Sequence, residues 1–113
     1  MTPRLASSVL VGALIRQAES RGGFAAVLAK GDETAGAILV FLTEKGMNPK
    51  AYERLLQPSG DYLWAASASQ PPENPAEVPS FIARRRRFDP DLWVVELDVP
   101  SAERFAAEMN GQD

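Results

Sequence analysis

A small α+β domain, with helices laid over a five-stranded sheet, is the architecture this 113-residue sequence predicts. Three observations lead to it. Residues 37–43 (AILVFLT) form an apolar run of strand length bounded by turn residues. Residues 92–99 (LWVVELDV) form a second strand-like run behind Asp89-Pro90. Ahead of both, Val11, Leu14, Ile15 and Ala18 fall at i, i+3, i+4 and i+7, one face of a helix. The expected order is helix, four-stranded antiparallel meander, helix, fifth strand and short C-terminal helix.

Residues 1–4 read as an arm, and the first helix as residues 5–21, closed by Gly22 and Gly23. Val9, Leu10 and Ala13 widen its apolar stripe, so it is expected to be covered on two sides, by the tail helix or by a second subunit. Residues 24–30 (FAAVLAK) and 37–43 read as strands joined by Gly31-Asp32-Glu33-Thr34-Ala35-Gly36, which suggests an antiparallel hairpin. Since residues 37–43 are apolar on both faces, they are expected to form a central strand. A loop through Gly46, Asn48 and Pro49 leads to residues 51–57 (AYERLLQ), which suit a strand but also a short helix. Pro58-Ser59-Gly60-Asp61 turns the chain into a fourth strand, residues 62–66 (YLWAA).

Residues 67–77 carry three prolines and no periodicity, and read as a surface loop within a single domain spanning 1–113. The next helix starts at about Val78, with Pro79 in its first turn, and must stop near Phe88 because Pro90 disfavours the helical conformation at Asp89. In the strand that follows, Trp93, Val95, Leu97 and Val99 share one face, expected to be the core face. From Pro100 a tail helix runs to about Asn110, with Phe105, Met109 and Ala102 as its apolar seam.

Composition excludes more than it suggests. The chain has neither cysteine nor histidine, so disulfides, thiolate nucleophiles, imidazole bases and the usual zinc ligands are absent. No cofactor is expected. The apolar run 9–15 is too short to span a bilayer, and Arg16, Gln17, Glu19 and Arg21 follow it in helical register, so neither a signal peptide nor membrane association is expected. A cytoplasmic location is the default reading.

The quartet Arg84–Arg87 invites a nucleic-acid reading, since guanidinium groups neutralise phosphates. Geometry weakens it. Successive helical residues point about 100° apart, so the four surround the helix instead of forming a stripe. Val78, Phe81, Ile82 and Phe88 mark the apolar side, Arg85 falls within it with its stem buried and its head paired to a carboxylate, and Arg87 points away. Without the quartet the chain keeps eight basic residues against fifteen acidic ones, a balance that repels polyanions. Nucleic acid is therefore disfavoured against internal ion pairing or an unknown protein partner.

The other candidates have structural readings of their own. Asp89 and Asp91 flank a proline as turn residues do, and without an EF-hand spacing they do not define a metal site. Asp32 is expected to bond its own turn amides, since no Gly-Lys-Ser/Thr follows to make a phosphate loop. Trp93 is expected in the core. Trp64, in an edge strand, can lie at an interface. Ser7 and Ser8 have no recognisable base and read as helix-surface or N-terminal residues.

The helix ending in Arg16, the segments 22–28 and 31–40, and above all Asp89-Pro90-Asp91-Leu92-Trp93 before a strand, resemble the domain-of-unknown-function family 1491 of small bacterial proteins. The likeness covers residues 4–98, and the tail from Pro100 departs from the expected pattern. The resemblance implies no activity. The expected function is that of a non-enzymatic interaction domain, homodimeric through the first helix or a sheet edge. The rival is a small-molecule binder or unusual enzyme built on Arg16, Asp32, Arg85, Asp89 and Asp91, which requires those groups to share a pocket. Nucleic-acid binding through Arg84 and Arg87 stands third.

Overall fold

In the computed structural model, which describes residues 5–111, the chain runs α1 (Ser7–Ser20), β1 (Phe24–Ala29), β2 (Ile38–Glu44), β3 (Met47–Leu56), β4 (Tyr62–Ala66), α2 (Val78–Phe88), β5 (Trp93–Asp98) and α3 (Ala102–Met109). The five strands form one mixed sheet in the order β1-β5-β2-β3-β4. Strands β2, β3 and β4 make the expected antiparallel meander. The first strand does not belong to it. β5 lies between β1 and β2, antiparallel to the former and parallel to the latter, so the expected hairpin of β1 with β2 and the four-stranded meander are both overturned.

The physical reason lies in residues 30–37, which cross over the start of β5. Two strand spacings of about 4.8 Å separate β1 from β2, and the loop is anchored along the way. Asp32 N donates to Asp91 O at 3.0 Å, and Trp93 Nε1 donates to Asp32 O at 2.7 Å. A Cβ at Gly31 would stand 2.2 Å from Asp91 O, and one at Gly36 2.3 Å from the same oxygen, so only glycine lets the loop lie this close to β5.

Inserting β5 explains why two strands are apolar on both faces. α1 and α3 cover one side of the sheet over Ile38, Val40, Leu42, Trp93, Val95 and Leu97, and α2 covers the other over Leu39, Phe41, Leu92 and Val94. β2 is central, as its sequence predicts. β5 was expected to have one core face and has two. On α1, Val11, Leu14 and Ala18 are buried, while Val9 and Ala13 remain exposed, so within the chain the helix is covered on one side only.

The third element is a strand and begins earlier than expected. Lys45 and Gly46, both at positive φ, make a two-residue turn in which Glu44 pairs with Met47, so Asn48 and Pro49 lie in β3 and not in a loop. Residues 67–77 are pinned to the sheet, since the Gln70 carboxamide bonds both N and O of Ala51, at 3.0 and 3.1 Å. Asn74 caps the short 3-10 turn that leads into α2. α2 ends at Phe88 as expected, but Phe88 itself is 89% exposed and, unlike Phe81, takes no part in the core.

Candidate functional site

The residues that sequence reasoning singled out fall into three places. At one end of the sheet, Asp32, Asp89, Asp91 and Trp93 meet in a knot of internal hydrogen bonds. Asp32 Oδ2 accepts from the amides of Thr34 and Ala35 at 3.1 and 2.8 Å, the turn role predicted for it. Asp89 Oδ1 accepts from Asp91 N at 3.2 Å. The same loop receives the N-terminus of α1, whose first amides lack helical partners. Ser7 N donates to Thr34 O, Ser8 N to Glu33 O, and the buried Ser7 Oγ to Gly36 O at 2.6 Å, so Ser7 is a clamp and not a surface residue. Arg86, which the helical wheel did not mark, closes the knot by donating from Nη2 to Lys30 O and Pro90 O, each at 2.9 Å.

Arg85 lies apart from this knot. Its Nη2 donates to Glu53 Oε1 at 2.8 Å, and Ser67 Oγ donates to the other oxygen of the same carboxylate, so the expected stem burial and carboxylate pairing are both present. About a quarter of each side chain is exposed, which puts this pair between a surface bridge and a buried one. Arg85→Ala is expected to cost about 1.5–3 kcal/mol by urea unfolding. Arg84→Ala and Arg87→Ala, at exposed positions, are expected to stay within about 0.5 kcal/mol. Two of the four arginines thus serve the chain's own structure, and the two exposed ones, Arg84 and Arg87, stand three positions apart on the helix surface. Arg16 is exposed and lies back along α1 toward Gly12.

Trp64 shows how one sheet edge is closed. It packs half-buried against the α1 and α3 side of the core, and the Asn110 carboxamide pairs with its backbone. Trp64 N donates to Asn110 Oδ1 at 2.7 Å and Asn110 Nδ2 donates to Trp64 O at 2.9 Å, as a neighbouring strand would. The β4 edge is therefore blocked at its centre.

The opposite edge is open. Trp93 N and Val99 N donate to Ala37 O and Thr43 O, so the odd-numbered residues of β5 turn their backbone groups toward β2 and the even-numbered ones toward β1. The register of β1 on β5 pairs Phe24 with Asp98 and Ala26 with Glu96, leaving N–H and C=O of Ala25 and Val27 facing outward. Among the described residues nothing bonds them. No charged residue or proline interrupts β1, and Phe24, Val27 and Leu28 are 77%, 46% and 39% exposed. A bulge at Leu28 limits the open run to these two residues and their neighbours.

On the α2 side, beside the first turn of α2, a groove of about 710 Å³ opens over Phe41, Thr43 and Glu96, with Leu28, Met47 and Val78 on its walls. None of the eight residues named from the sequence lines it. Among the described residues no group of three or more acidic side chains could hold a metal ion, and no helix is long and apolar enough to cross a membrane.

The features define an α+β domain with a mixed five-stranded sheet, helices on both faces, one edge blocked and one open. Solved structures are similar to it in fold. A crystal structure of a DUF1491 family protein from Caulobacter crescentus CB15 is 31% identical with a TM-score of 0.76, over 90% of this chain and 94% of that one. An NMR structure of a DUF1491 family protein from the same organism is 32% identical with a TM-score of 0.71, over 92% and 94%. The solution structure of protein Atu0922 from A. tumefaciens is 32% identical with a TM-score of 0.72, over 91% and 92%. The chain belongs to the family described as protein of unknown function DUF1491, whose model matches residues 5–107. That match runs past Pro100 into α3, so the tail is part of the family pattern and not a departure from it. No curated protein matches the chain.

Proposed function

We propose that the chain is a non-catalytic interaction domain that forms a homodimer by pairing its β1 edge with that of a second copy. The observation that carries this reading is the contrast between the two edges, one blocked by Asn110 and the other leaving the backbone of Ala25 and Val27 unpaired among the described residues. An antiparallel pairing about a twofold axis at Ala26 sets Ala25 of one copy against Val27 of the other, twice. All four outward groups of each copy then find partners.

The side chains fit the same axis. Phe24 and Leu28 lie two positions on either side of Ala26, so each would face the other across the axis, and both expose apolar surface in the monomer. A charge-free edge of this kind pairs readily with another chain. Sedimentation equilibrium at tens of micromolar is expected to give a dimer. Phe24→Lys, at a position already 77% exposed, is expected to weaken association at least tenfold without unfolding the monomer, because it sets a charge in place of the apolar partner of Leu28 on both sides of the axis. A parent protein that stays monomeric at several hundred micromolar would overturn the proposal.

A further inference from the structure

The groove on the α2 side has a floor that its walls do not explain. β5 reads Trp-Val-Val-Glu-Leu-Asp, and at its centre Glu96 puts a carboxylate on the face where Leu92 and Val94 are buried. Thr43 Oγ1 donates to Glu96 Oε2 at 2.9 Å, which holds the side chain against the sheet. A carboxylate offers about four acceptor sites and no donor. Glu96 Oε1 receives no hydrogen bond among the described residues, and no lysine or arginine described forms an ion pair with it. Lys50 lies along the groove wall, but its register partner Leu42 belongs to the α1 and α3 side of the core, so alternation sends the lysine side chain to that side. Glu73 at the rim adds a further negative charge.

The volume falls within the range of small-molecule sites, which combine apolar walls with a few fixed polar groups. We infer that this groove binds a small apolar molecule bearing an ammonium or guanidinium group, with the cation on Glu96 and the apolar body against Leu28, Phe41, Met47 and Val78. Charge selects the class. A half-buried, acceptor-only floor with one donor neighbour attracts a cationic donor, repels an anion, and gains less from a neutral hydroxyl. The inference does not rest on the dimer: Leu28 stands at both surfaces, but the charge that selects the ligand is Glu96, away from the outer edge of β1.

Titration of the labelled protein with n-octylammonium, n-octanol and n-octanoate, followed by amide chemical shifts, tests it. Octylammonium is expected to give saturable shifts at Leu28, Thr43, Met47, Val78 and Glu96, with octanoate binding at least tenfold more weakly. Glu96→Gln keeps the shape and removes the charge, and is expected to bring octylammonium down to the affinity of octanol. Met47→Arg, at an exposed rim position, carries a guanidinium into the groove from the chain itself and is expected to abolish octylammonium binding even if the Glu96 variant fails to fold. Equal affinity for octylammonium and octanoate, shifts confined to another surface, or no saturation at millimolar ligand would each overturn the assignment.

Discussion

Gly31→Ala is expected to remove at least about 3 kcal/mol of unfolding free energy, a large share of what a domain of this size possesses. The added methyl would stand 2.2 Å from Asp91 O and 2.7 Å from both Trp93 N and Trp93 Cδ1. Two of these three atoms are backbone, so a rotamer change cannot relieve the contact. The loop must lift, and lifting it loosens the bonds from Asp32 N to Asp91 O and from Trp93 Nε1 to Asp32 O. Those bonds hold the crossing that places β5 between β1 and β2. Urea unfolding reads the loss directly, and a Gly31→Ala protein within about 1 kcal/mol of the parent would mean that the loop does not lie on β5 as described.

Phe105→Ala is expected to cost about 3–5 kcal/mol, the range for deleting a fully buried aromatic side chain. Phe105 is 2% exposed and is the buried residue of α3 within the core cluster of Val40, Val95 and Leu97, against which Ala102, Ala106 and Met109 also pack half-buried. Its loss reaches further than the cavity. α3 carries Asn110, whose carboxamide blocks the β4 edge at Trp64, and Glu108, which pairs with Arg21 at the end of α1 at 2.9 Å. A loosened α3 therefore exposes a second sheet edge as well as core surface. The variant is expected to aggregate on heating where the parent unfolds reversibly, and light scattering during a thermal ramp checks this.

Much of the fold was legible because it is written in local pattern. The apolar run of β2 announced a central strand, Asp89-Pro90 announced the end of α2, and the position of Arg85 on the apolar side of its helix announced pairing with a carboxylate, which the structure identifies as Glu53. The insertion of β5 is a long-range event. Gly31 and Gly36 read locally as turn residues, whereas their actual requirement is the closeness of Asp91 O, sixty and fifty-five positions along the chain. One local sign was present. Leu92 and Val94 are apolar on the face opposite Trp93, which marks a strand covered on both sides and hence not a late addition at an edge.

The candidate sites were less legible. Aspartates and arginines around the start of β5 drew attention because such residues can carry chemistry, and the structure uses Asp32, Asp89, Arg85 and Arg86 to satisfy the chain's own polar groups. The groove arises where α2 begins relative to the sheet, a position that helix spacing does not encode. Its one sequence signal was Glu96, a carboxylate within an otherwise apolar strand centre. The open edge of β1 follows from strand order alone, and with β1 paired to β2 in a hairpin, Ala25 and Val27 would not have been recognised as outward-facing.

Residue-resolved hydrogen exchange across a concentration series tests the self-association most directly. In the monomer the amides of Phe24 and Ala26 face β5 and those of Ala25 and Val27 face outward. Pairing about Ala26 predicts that protection at Ala25 and Val27 rises with protein concentration until it approaches that of their neighbours. Exchange at Ala25 and Val27 that stays fast at every concentration, beside protected Phe24 and Ala26, would contradict the pairing.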